Sequence, residues 1–122
     1  MDHIETGKLG ERLAEKHLIS KGFSVIGRNY RKFFGEIDII AKKEDTIHFI
    51  EVKSVNMGYG IGGFRPEDNV HEKKIQRLYK TIGIYLIENN YKDDQLWQID
   101  VVSVYIDSSN KKADIKLLMN AV

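Results

Sequence analysis

Three side chains in this chain are of types that do chemistry together: Asp38, Glu51 and Lys53, all within residues 35–54, GEIDIIAKKEDTIHFIEVKS. The stretch reads as two strands joined by the charged turn KKED at residues 42–45. In the first strand, alternation puts Glu36, Asp38 and Ile40 on one face and Ile37, Ile39 and Ala41 on the other. In the second, Ile47, Phe49, Glu51 and Lys53 share a face opposite His48, Ile50 and Val52. Large apolar groups on both faces mark a strand covered on both sides. Charges at the end of such a strand are costly unless they are paired or hold a metal.

Two carboxylates at adjacent strand ends suit a hard divalent cation such as magnesium, with the Val52 backbone carbonyl completing the oxygen set. The Lys53 ammonium would then border an attacked phosphate. A buried ion-pair network is the competing reading. It accounts well for Lys53 and poorly for two like-charged acids side by side, which repel.

The elements that must position these groups follow from periodicity. Residues 6–21 predict an amphipathic helix with Leu9, Leu13, Ala14, His17 and Leu18 on its apolar half, ending at Gly22. Glu11 lies at the border of that half, either a snorkelling carboxylate or a third acid aimed at the strands. Residues 23–29 predict a first strand. Arg28, Arg31 and Lys32 are placed around the turn that follows, as phosphate contacts or as solvated charges.

Residues 54–69 read as a long, glycine-dense loop whose Tyr59, Phe64 and Arg65 are candidate nucleic-acid contacts or flap packing groups. A second helix is expected over residues 69–90, capped by Asp68 or Asn69, with Ile75, Leu78, Ile82, Tyr85 and Leu86 at three-four spacing. His71 and Lys74 near its start suit an anion site, or a snorkelling lysine. Residues 97–106 predict a strand in which Asp100 is structural, and residues 113–122 a short edge strand after the turn SSNKK.

The expected whole is one α/β domain over residues 1–122, a mixed sheet of four or five strands with one helix on each face. At 122 residues without cysteine there is room for one core and no disulfide or thiolate zinc site. No apolar run approaches a membrane span, and the first residues lack the pattern of a signal peptide, so a cytoplasmic location is expected. A net charge of +1 neither demands nor excludes a nucleic-acid partner, although residues 1–35 are basic and residues 88–122 acidic.

The D…ExK pattern on the second and third strands of a helix-first chain resembles the restriction-endonuclease-like superfamily, whose signature is PD-(D/E)xK. Gly7, Gly10, Glu11 and Ala14, then Gly22, Arg28–Asn29, GEIDIIA and FIEVK, are together similar to the YraN-like family of small bacterial proteins. Lys74 matches a lysine of that family's second helix, and Asp100 the acid of its late R-F-D strand. The resemblance implies a restriction-endonuclease-like fold and a magnesium-dependent nuclease, manganese substituting, that cuts DNA rather than RNA, branched DNA included.

It carries active-site roles to Glu11, Asp38, Glu51 and Lys53, with metal held by Asp38, Glu51, the Val52 carbonyl and Glu11. Arg28, Arg31 and Lys74 would contact substrate. The partner implied is nucleic acid, with a homodimer allowed and no membrane. Three positions depart from the pattern: Ile37 replaces the proline before Asp38, Val55 stands where an arginine is frequent, and Gln98 replaces the arginine of R-F-D. The proline is usually absent from this branch, but the two missing arginines and the weak net charge favour an alternative, a nucleic-acid-binding module with the fold but no turnover.

Overall fold

The computed structural model describes residues 2–56 and 72–121. The candidate contacts Tyr59, Phe64, Arg65 and His71 and the Asp68 or Asn69 cap lie outside the described residues. In chain order the elements are α1 (His3–Ser20), β1 (Ser24–Lys32), β2 (Gly35–Lys43), β3 (Thr46–Asn56), α2 (Glu72–Glu88), β4 (Leu96–Asp107) and β5 (Lys112–Leu118).

α1 starts three residues before the sequence expectation. Asp2 is its N-cap, accepting the Glu5 amide at 2.8 Å, so an Asp-x-x-Glu pair nucleates the helix ahead of the apolar pattern. Its end follows expectation. Gly22 takes φ +93°, its amide bonds the Ile19 carbonyl, and the Phe23 amide bonds the Leu18 carbonyl, the paired contacts of a glycine-terminated helix.

The five strands lie in sequence order. β3 and β4 pair in parallel, and every other neighbour pair is antiparallel. The parallel pair requires a crossover, which α2 supplies. The sheet is mixed, as expected, and is covered on both sides. Ala14 and Leu18 of α1 pack on Ile39, Ala41, Ile50, Val102 and Val104, while Leu78, Ile82 and Tyr85 of α2 pack on Ile37, Ile40, Ile47, Phe49 and Ile99. Among the described residues no helix is long and apolar enough to cross a membrane.

β1 runs further than the sequence indicates. Its ladder with β2 continues to Lys32↔Gly35, so only Phe33 and Phe34 form the turn. Arg28, Arg31 and Lys32 are therefore strand residues, because the cross-strand ladder overrides the turn-like composition. Asp100, fully buried in β4, is structural: His48 Nδ1 at 2.6 Å, Gln98 Nε2 at 2.7 Å and the Asn120 amide at 2.7 Å all donate to its carboxylate.

Two glycines set the closeness of the helices. A Cβ on Gly10 would stand 2.6 Å from Ser54 Cβ, so only glycine lets α1 approach β3 at this point. A Cβ on Gly35 would overlap Thr81 Oγ1 and stand 3.2 Å from the Arg77 carbonyl of α2. Cβ–Cβ overlap at Gly10 is not relieved by side-chain rotation, so Gly10→Ala is expected to cost about 1–3 kcal/mol in chemical denaturation, as overpacking does. Gly7→Ala, where a Cβ meets nothing within 4 Å, is expected to be neutral or to gain up to about 1 kcal/mol of helix propensity.

Candidate functional site

β2 and β3 pair from Lys43↔Thr46 to Ile39↔Ile50, and there the ladder stops. In place of the next backbone bond, the Val52 amide donates to Asp38 Oδ2 at 2.8 Å. Strict alternation fails at the same level. Ile37 packs on the α2 side, whereas Ile39 and Ala41 pack on the α1 side, so Glu36, Asp38 and Ile40 do not share the face that period two assigns them. β1 changes face in step. Arg28 bonds Glu15 of α1, while the Tyr30 ring meets Tyr85 of α2 with centroids 5.2 Å apart. Between them Asn29 adopts φ +49°, a conformation that asparagine tolerates better than most residues, and this left-handed residue re-aims the strand.

β3 keeps its alternation. Ile47 and Phe49 pack towards α2, and beyond them Glu51 and Lys53 reach Lys74 on that helix. The rotated β2 and the regular β3 thus bring Asp38 and Glu51 together at the head of a cleft of about 700 Å³. Its walls are Gly7 and Glu11 from α1, Glu36 and Asp38 from β2, Glu51, Val52 and Ser54 from β3, and Lys73, Lys74 and Arg77 from α2.

The electrostatics follow from burial. Asp38 is pushed up to about 7, first by desolvation and then by the Glu51 charge, and the Val52 amide only partly offsets this. Glu11 is raised as well, by burial and by Glu36, with Asn29 and Arg31 opposing. Glu51 is stabilised by two ammonium groups on one oxygen: Lys53 Nζ lies 3.1 Å from Oε1, and Lys74 Nζ bonds the same atom. Lys53, desolvated and beside Lys74, is held below the ordinary lysine value. Lys74 rises above it despite burial because of its bond to Glu51.

The structure therefore gathers Glu11, Asp38, Glu51, Val52 and Lys74 on one cleft. Lys53 touches Glu51 but does not itself line the wall. Neither arginine lines the cleft. Arg28 pairs with Glu15, and Arg31 Nε lies 3.2 Å from Glu36 Oε1. Among the described residues no three acid or imidazole side chains form a ready cage for a cation. The carboxylates of Glu11, Asp38 and Glu51 all line the cleft, and the charges of Glu51 and Glu11 both act on Asp38.

The model of the family described as Uncharacterised protein family UPF0102 matches residues 10–104. The chain belongs to the UPF0102 family. A UPF0102 protein of Caldicellulosiruptor bescii is 35% identical over 122 residues, 99% of both chains. Another from Clostridioides difficile is 39% identical over 109 residues, 87% of this chain and 90% of its own, and one from Campylobacter fetus is 41% identical over 98 residues, 80% and 81%. The span matched to UPF0102 contains Glu11, Asp38, Glu51, Lys53 and Lys74.

Sequence reasoning missed Glu36, which lines the cleft and raises both Asp38 and Glu11, although its place two residues before Asp38 was a signal. It also missed Asn29, which bonds Glu11, and the cleft residues Lys73 and Arg77.

Asp38 gives this site a pH signature. In the unfolded chain its carboxyl ionises near 4, in the fold only near 7, so between these values the native state holds the extra proton. Its contribution to stability is therefore present at low pH and lost as pH rises through about 7. Asp38→Asn keeps an acceptor for the Val52 amide and removes the charge. In chelator at pH 8 it is expected to be more stable than wild type by a few kcal/mol, with the difference vanishing towards pH 4, as read by denaturant titration at each pH.

Proposed function

We propose that this UPF0102 protein is a magnesium-dependent nuclease of the restriction-endonuclease-like PD-(D/E)xK type, hydrolysing phosphodiester bonds in DNA in preference to RNA, in the cytoplasm. One observation carries the reading: partly buried Asp38 and buried Glu51 line one open cleft where β2 leaves β3, the Glu51 charge acts on Asp38, and two ammonium groups converge on Glu51. Asp38 is disfavoured as an anion, and a divalent cation is the partner that would relieve that cost.

The donor set fits magnesium. Asp38, Glu51 and the Val52 carbonyl offer hard oxygen ligands, Glu11 can join through water, and magnesium keeps several waters of its own. When bound, magnesium or manganese would supply Lewis acidity to a phosphoryl oxygen and lower the pKa of the attacking water. The chain's own groups do the rest. Asp38, fixed by the Val52 amide, and Glu51, fixed by its lysines, preset the ligand geometry before substrate arrives. Lys53, with its depressed pKa, is a compact donor that orients water and stabilises charge developing on the phosphate. Lys74, at the cleft wall, holds a neighbouring phosphate oxygen.

A binding module without turnover is the second reading, and Glu51 favours it. With both lysines already on its carboxylate, Glu51 has the neutralisation that a cation would otherwise bring.

The two readings part on Lys53→Met. For a nuclease, this variant is expected to lose cleavage by a factor of about a hundred or more in magnesium, as loss of one preorganised donor does. Its melting temperature should still rise when manganese or magnesium is added, because Lys53 is not a ligand. Asp38→Asn is expected to lose that metal-induced rise. Wild-type protein that binds DNA yet cuts no linear, nicked, single-stranded, branched or RNA substrate in either metal would establish the binding module instead.

A further inference from the structure

The β1–β2 hairpin ends in a two-residue turn, Phe33–Phe34, at positions where such turns favour Asn, Asp or Gly. Nothing in turn geometry asks for two aromatic rings. Phe33 is 100% exposed, the extreme among the large apolar side chains described, and its ring meets Phe34 edge to face at 5.0 Å. Phe34 turns inward, lines the cleft, and carries Lys80 Nζ over its ring at 4.4 Å. The hairpin is fixed rather than dangling, since Gly35 at its base packs without a side chain against Thr81 and the Arg77 carbonyl of α2.

A line of positive charge joins this tip to the acids. Lys73, Arg77 and Lys80 fall at i, i+4 and i+7 on α2, hence on one stripe, and all three are exposed. Lys73 and Arg77 line the cleft that holds Asp38 and Glu51, and Lys80 stands at Phe34. Among the described residues none of the three is in an ion pair, whereas Arg28, Arg31, Lys32, Lys53 and Lys74 all are. Phosphate-spaced cations ending at an exposed aromatic face make up the two halves of a single-strand binding track: charge for the backbone, a flat ring for a base.

We infer that the cleft takes nucleic acid that is unpaired beside the cut, with phosphates along Lys73, Arg77 and Lys80 and a base stacked on Phe33. A continuous duplex has no free base face to offer the ring, so the tip selects gaps, flaps, single strands and junction arms over intact duplex. This rests on the nuclease reading for the cut and on the geometry alone for the binding.

The test separates the two. Binding of fluorescent oligonucleotides is measured in EDTA, where nothing is cut, with single-stranded, flapped and blunt duplex DNA, and cleavage of the same DNAs is followed in magnesium. Wild type is expected to prefer unpaired DNA, and Phe33→Ala to lose about ten-fold in affinity for it, in the range that one stacked base contributes, with Phe33→Trp restoring the preference. Replacing Lys73, Arg77 and Lys80 by Gln should flatten the salt dependence for a single strand by about two units of slope. Binding with this pattern but no cleavage sinks the nuclease and keeps the track. Cleavage without preference for unpaired DNA, or equal loss by Phe33→Ala on all DNAs, sinks the track and keeps the nuclease. Sedimentation covers the remaining occupant: a wild-type dimer that Phe33→Ala turns into monomer would make the tip a contact between copies and overturn the proposal.

Discussion

Everything at the head of the cleft depends on one hydrogen bond, from the Val52 amide to the Asp38 carboxylate. Where β2 leaves β3, a partly buried strand amide loses its ladder partner, and leaving it unmet would cost free energy. Asp38 supplies the acceptor. In doing so it is drawn into a place where burial and Glu51 both oppose its charge. The sheet on one side and the close-packed helices on the other keep it there. Stability that the fold gains from its two apolar layers thus offsets the cost of holding an acid against its preference.

Much of this was legible in the sequence, and the reasons it was or was not are local. Gly22 marks the end of α1 because a left-handed residue is needed there, while the helix start is hidden, since Asp2, Glu5 and Ile4 are exposed and carry no apolar period. β3 obeys period two along its length, so the joint placement of Glu51 and Lys53 could be read directly. β2 does not. Its change of face falls beside the left-handed Asn29 of the neighbouring strand, and alternation counted within one strand cannot see a partner. The mixed sheet and the opposite seating of the two helices follow from segment order and from apolar faces, which the sequence does display.

Charge was the least legible property. A count of basic residues says nothing about which are already engaged. β1 offers three that attract notice by their clustering, and each proves to be tied to a carboxylate of α1, β2 or α2. Such pairs fasten elements together at modest gain, being exposed. The stripe on α2 draws less notice in the sequence because its members are spread by helical spacing, yet Lys73 and Arg77 reach the cleft and Lys80 the Phe34 ring at its edge.

The parallel pairing of β3 with β4 has a kinetic side. Thr46 meets Leu96 and Asn56 meets Ile106, partners fifty residues apart in the chain, whereas the hairpins β1–β2, β2–β3 and β4–β5 close over short turns. Closing the long loop costs more chain entropy before contacts repay it than closing any of the hairpins does. Glu51 and Lys53 ride on that late-closing strand, and Lys74 lies on the segment that closes it. The acids of β2 and β3 are neighbours as soon as their hairpin forms, but the lysine of α2 joins them only when the whole chain has folded. A nascent or partly unfolded copy therefore carries the acids without the finished constellation.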